Sequence, residues 1–105
     1  MSVVLVYITC AGREEARAIA QELVTARLAA CVNILPEIES FFHWEGRLDQ
    51  ARETALVAKT VTAKVPDLVA AVRKKHSYSV PAILVLPVVD GFPPFLDWVR
   101  SEVAD

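Results

Sequence analysis

The chain has 105 residues, with 11 Lys plus Arg against 13 Asp plus Glu and a formal net charge of −2. That length predicts one domain, and the charge supplies no phosphate-seeking field, which excludes nucleic acid as an expected partner. Apolar residues make up 54% of the chain and charged residues 23%, an apolar load that predicts burial of some surface against another copy.

The opening Met1-Ser2-Val3-Val4-Leu5-Val6 carries no basic segment and no small-residue cleavage site, so no signal peptide is expected. Its apolar runs are far shorter than the ~20 residues needed to span a bilayer, so no membrane partner is expected. Two cysteines, Cys10 and Cys31, are too few for a disulfide-stapled scaffold. The expected location is cytoplasmic.

Val3 to Thr9 is a β-branched run, apolar on both faces, as in a central strand. From Arg13 to Leu28, Ala16, Ile19, Ala20, Leu23 and Val24 recur at helical spacing, with Glu14 and Glu15 in the first turn, where the helix dipole favours them. Cys31 to Trp44 reads as a second strand, bent at Leu35-Pro36 because proline donates nothing to a ladder. Glu45 to Asp49 predicts a turn, and Glu53 to Thr60 a returning strand. Lys64 to His76 predicts a second helix and Pro81 to Val89 a fourth strand. Pro93-Pro94 opens a last helix, in which Phe95 and Trp98 are expected in the core. The order βαββαβ plus a terminal helix predicts an α+β fold, the ferredoxin-like split βαβ sandwich.

That topology brings Cys10, His43, Trp44 and the His76-Ser77-Tyr78 run towards one edge of the sheet and puts Cys31 at the opposite edge. The two thiols are then roughly 20 Å or more apart, so a site using both requires two subunits. Along Phe41-Phe42-His43-Trp44, side chains alternate, giving aromatics on both faces of an edge strand. Such a strand aggregates unless covered, and a neighbouring subunit is the economical cover.

Several segments together resemble the CutA family of divalent-cation-tolerance proteins over essentially the whole chain, 1–105, as a single CutA-like domain. They are Arg27 to Ile34, Trp44-Glu45-Gly46, Glu53 with Lys59-Thr60, His76 to Pro81, Leu86-Pro87 and Leu96-Asp97-Trp98. The resemblance implies a ferredoxin-like homotrimer built through the long β-hairpin, and copper or similar divalent or soft metal-ion binding, with no cofactor required. It implies copper binding at Cys31, whose thiolate is a soft ligand, against a packing role for a cysteine set in Ala-Ala-Cys-Val. His76 is the second metal candidate, since imidazole binds copper, zinc and nickel, although a histidine ending a helix also serves as a cap. Cys10 and His43 are weaker candidates, Cys10 as strand-end filler and His43 at the subunit seam. The chain has Ser77, Ser79 and Ala82 where the family pattern has Pro, Glu and Glu, so two acidic positions beside His76 are absent.

Lys59, in an otherwise apolar strand, needs a partner. Either it pairs with Glu53 or Glu45, or with Trp44 and Tyr78 it lines an intersubunit cleft for a small anionic ligand, as in the PII signalling trimers of the same architecture. Other classes lack their residues. An acylphosphatase-like site needs a Gly-rich phosphate loop, a metal chaperone needs Cys-x-x-Cys but has Arg13 at the fourth position, and an RNA-binding sheet needs aromatics that Thr54 to Ala58 lacks. No nucleophile, base and acid constellation is present, so a non-enzymatic protein is expected.

Overall fold

The computed structural model of the chain describes residues 1–104. Its elements run β1 (Val3–Cys10), α1 (Arg13–Thr25), β2 (Cys31–Trp44), β3 (Arg47–Val61), a 3-10 turn (Thr62–Lys64), α2 (Val65–Lys75), β4 (Ile83–Pro87) and α3 (Pro93–Val103). The strands form one antiparallel sheet in the order β2-β3-β1-β4. This is the expected ferredoxin-like α+β arrangement.

Alternation along β1 sorts the sheet into two faces. Val4, Val6, Ile8 and Cys10 are buried among Ile19 and Leu23 of α1 and Leu68 and Val72 of α2. Leu5 and Tyr7 point the other way, together with their register partners Lys59 and Val57 of β3 and Leu86 and Leu84 of β4. Cys31, opposite Lys59, belongs to this open face too. Within the chain α3 covers only one end of it, packing Val99 and Val103 on Val3 and Val61, and Leu84 and Leu86 remain 59% and 44% exposed.

The long hairpin differs from the expected one. Its turn is only Glu45-Gly46, with φ of 51° and 78°, the two left-handed residues whose twist matches that of the flanking strands. Trp44 therefore pairs directly with Arg47, and β3 begins there rather than at Glu53. Residues 47–53 run past the end of β1, since Thr54 is the partner of Cys10. At ~3.3 Å per residue that overhang is roughly 23 Å. The register shift between Leu35 and Ile38 is the bend expected at Pro36, and the Thr54 hydroxyl donates to the Pro36 carbonyl at 3.0 Å.

One helix end and one strand also differ. Helix α1 stops at Thr25 because Arg27 takes a left-handed φ of 60°, and the Leu28 N–H turns back to the Leu23 carbonyl at 2.9 Å. The Arg27 side chain holds that end by donating to the Glu102 backbone carbonyl at 2.9 Å. Strand β4 covers only Ile83–Pro87 rather than Pro81 to Val89.

Phe95 and Trp98 are not core residues within the chain. Val99 and Val103 take the buried stripe of α3, while Phe95 and Trp98, each 41% exposed, stack on one another at 5.6 Å on a neighbouring stripe. Leu56 is fully buried in the main core. Leu56→Ala is expected to cost about 2–5 kcal/mol, read as a lower urea midpoint with no change in cooperativity. An unchanged midpoint would contradict this packing.

Candidate functional site

The end of β1, the first turn of α1 and the end of α2 converge on one buried point. Cys10 closes β1 on its helix-facing side, Glu15 sits in the first turn of α1, and His76 follows the last residue of α2. Cys10 Sγ, a Glu15 carboxylate oxygen and a His76 ring nitrogen all lie within 4.8 Å of one another. The His76 side chain is fully buried and that of Glu15 is 18% exposed.

Both imidazole nitrogens already have backbone partners. Nε2 lies 2.7 Å from the Thr9 carbonyl, which can only accept, so Nε2 carries the proton. Nδ1 accepts the Tyr78 N–H at 3.1 Å. Glu15 Oε2 accepts the Ser77 N–H at 3.1 Å. Its other oxygen, Oε1, is buried without a hydrogen-bond partner and lies 3.7 Å from His76 Nδ1. A buried carboxylate oxygen left bare is costly, and it marks the position where a cation would be welcome. The Tyr78 ring sits 4.9 Å from the His76 ring, and its hydroxyl donates to Glu53 Oε2 at 2.9 Å.

Burial, reinforced by Glu15 and Glu53, pushes the Cys10 thiol up to about 12. Burial, then the hydrogen bond to Glu53, likewise pushes Tyr78 to about 12. Cys10 is therefore a protonated thiol at neutral pH and no activated nucleophile.

The other candidates lie elsewhere. Cys31 stands beside Lys59, five positions along β3 from the Thr54 that faces Cys10, or about 17 Å. It is on the opposite face of the sheet, so the chain does not bring Cys31 and His76 together. His43 is exposed opposite Leu48, six β3 positions beyond Thr54, and lies far from the cluster. Lys59 donates to the Asn33 side chain rather than pairing with Glu53 or Glu45. It is also six positions from Glu53 along β3, so within one chain it stands apart from Trp44 and Tyr78, and a cleft lined by all three requires two subunits. Trp44 and Tyr78 line a separate cleft of about 340 Å³ with Phe42, Asp49, Glu53, Ser79 and Val80.

Glu15 is the residue that sequence reasoning missed. The carboxylate absent from positions 79 and 82 comes instead from the start of α1. Its sequence signal was its first-turn position, which was read only as a match to the helix dipole.

A ferredoxin-like sandwich with a buried sulfur, oxygen and nitrogen donor group is thus the class defined by fold and site. The sequence profile of the CutA1 divalent ion tolerance protein family matches residues 4–102, and the chain belongs to that family. It is 44% identical over 98 residues to the divalent-cation tolerance protein CutA of Archaeoglobus fulgidus, covering 93% of this chain and 95% of that one. It is 41% identical over 100 residues to protein CutA of Mus musculus, covering 95% of this chain but only 56% of the mouse protein. The solved structure of the periplasmic divalent cation tolerance protein CutA from Archaeoglobus fulgidus superposes with a TM-score of 0.94 at 41% identity, covering 97% of this chain and 99% of that one. CutA1 from Oryza sativa gives 0.96 at 32% identity, covering 100% and 96%. Among the described residues no helix is long and apolar enough to cross a membrane.

The two raised groups set an alkaline limit. Well below pH 9 the Cys10 thiol is neutral whether the chain is folded or not. From its ordinary value of 9.0 upward, the unfolded chain loses a proton that the folded chain keeps up to about 12. Stability therefore falls across pH 9 to 12, and Tyr78 adds to the loss above 10.0. Urea midpoints measured across that window are expected to fall less steeply in Cys10→Ala than in the wild type. Parallel curves would contradict the buried-thiol account.

Proposed function

We propose that this chain serves divalent-cation tolerance as a non-enzymatic homotrimer that binds copper or a similar divalent or soft metal ion. The observation that carries the metal reading is the convergence of Cys10, Glu15 and His76 within 4.8 Å, with Glu15 Oε1 bare among them. Thiolate, carboxylate and imidazole together suit zinc or copper better than a hard, all-oxygen ion. Binding there displaces the thiol proton of Cys10 and the Tyr78 N–H from Nδ1, so the ion competes with two existing bonds. Cys31, the position implied by family resemblance, lies on the open sheet face, so a role for it requires a second subunit.

The trimer reading is supported by that same face. Leu84 and Leu86 on that face, Trp44 on the same side of the hairpin, and Phe41 and Leu48 on the hairpin's other side leave a large apolar surface in water, more than an isolated soluble chain normally exposes. Its occupant in this reading is a second and third copy. The cytoplasmic location belongs to the same proposal. The names of relatives include a periplasmic protein from Archaeoglobus fulgidus and a chloroplastic one from Arabidopsis thaliana. The PII-like alternative is not favoured: the charged groups that line the cleft of Trp44 and Tyr78 within the chain are carboxylates, which do not attract an anion.

Native mass spectrometry under reducing conditions tests both parts. The expected mass is three times 11.5 kDa, with three copper ions taken up per trimer. Cys10→Ser and Glu15→Gln are each expected to weaken uptake by about tenfold or more, with assembly intact, while Cys31→Ser leaves it unchanged. Loss of uptake in Cys31→Ser alone would move the site to the subunit seam. A trimer without stoichiometric uptake would overturn the metal reading, and a monomer would overturn the assembly.

A further inference from the structure

Helices α1 and α2 pack on the sheet from the side opposite its open face, so the surface they turn outward is not the one that the trimer reading covers. Between them runs a groove of about 530 Å³, lined by Glu22 of α1 and by Asp67, Ala70, Ala71, Lys74 and Lys75 of α2. The α2 residues recur at the three- and four-residue spacing of a single helical stripe. All but the partly buried Ala71 are exposed.

The charges in this groove are sorted. The first turn of α1 meets the end of α2 through Glu15 and His76, so the helices run antiparallel, and Glu22, late in α1, stands towards Asp67, early in α2. Carboxylates therefore occupy one end of the groove and the two lysines the other, with the alanines between. Asp67 and Lys74 are seven positions apart in α2, about 10 Å along its axis. Among the described residues no ion pair reaches any of these four charged side chains.

Such a stripe is complementary to its own reverse. Laid antiparallel about a two-fold axis between Ala70 and Ala71, α2 sets Asp67 against the Lys74 of a second copy, and its own Lys74 against that copy's Asp67. Alanines meet at the centre, where they add no bulk to hold the two axes apart. Glu22 supplies a further carboxylate at each acidic end. A parallel approach opposes like charges at both ends, so the charge pattern selects the isologous arrangement.

We propose that this groove docks a second copy of the chain, α2 against α2 about a two-fold axis, held by two reciprocal Asp67–Lys74 pairs. One helix face is small beside the ~1,200 Å² of a stable interface, and exposed ion pairs contribute little each. The contact is therefore reversible and salt-sensitive. It joins pairs of whichever unit the hairpin assembles, and it depends on neither the donor cluster nor the number of subunits in that unit.

Sedimentation velocity of the intact protein, from about 10 μM to 1 mM, covers the affinities expected of so small a contact. In low salt, a species of twice the unit mass is expected to grow with concentration. Raising the salt to about 1 M, where the screening length is ~3 Å, is expected to remove it. Asp67→Lys and Lys74→Asp each make both pairs repulsive, and each is expected to weaken the association by about tenfold or more. An equimolar mixture of the two separately assembled variants opposes a basic stripe to an acidic one and is expected to associate at least as well as the wild type. That recovery also shows that neither variant has lost its fold. Ala70→Gln, neutral and at an exposed position, is expected to weaken association by crowding the centre. Three results would each overturn the proposal: a wild type that stays a single unit to about 1 mM in low salt, association indifferent to both charge reversals, or a mixture no better than its components. The first would leave the groove to a helix of a different protein.

Discussion

The register of β1 against its two neighbours is the constraint on which the rest depends. Val6 opposite Ala58 and Val85, and Ile8 opposite Leu56 and Ile83, set which side chains meet the helices and which are left to the open face. Because the pleat alternates, a slip of one residue exchanges the two sets entirely. It would put Leu5 and Tyr7 beneath α1 and α2 and turn Val6 and Ile8 to the open face. The same register delivers the Thr9 carbonyl and the Cys10 thiol to the end of the sheet, where the two helices can reach them.

At that end, backbone satisfaction and site geometry are one problem. The chain leaves α2 at Lys75 and must enter β4 at Ile83 with no helix or ladder to occupy its N–H groups. His76 and Glu15 take them up: Nδ1 accepts from Tyr78 and Glu15 Oε2 from Ser77, while Nε2 anchors the ring to Thr9. The histidine is thus a latch that ties the loop after α2 to the end of β1, and Glu15 Oε1 is left buried beside it without a hydrogen-bond partner.

Strongly periodic segments were legible in the sequence. Val3 to Thr9, the apolar stripe of α1, the stripe of α2 and the break at Pro36 all appear where composition and spacing put them. The first half of β3 was not, because Arg47 to Arg52 is polar and lacks β-branched residues. Its strand geometry comes from the two-residue turn and from pairing with β2, not from propensity. The end of α1 was missed for a related reason: Arg27 occupies the left-handed position usually held by glycine, stabilised by Glu102, which lies 75 residues away in the chain. At the site, topology sufficed to bring Cys10 and His76 to one end and to keep Cys31 away. It did not bring in Glu15, since the direction of a first-turn side chain is decided by what α1 packs upon. It paired Lys59 with Glu53 or Glu45, whereas Lys59 lies six positions from Glu53 along β3 and reaches Asn33 on the neighbouring strand instead.

Tyr78 joins the donor cluster to the hairpin physically. Its backbone N–H is bonded to His76 Nδ1, and its hydroxyl is bonded to Glu53 on the cleft wall. Tyr78 thus ties the loop after α2 both to the histidine latch at the end of β1 and to the hairpin, through two hydrogen bonds made by its backbone and by the far end of its side chain.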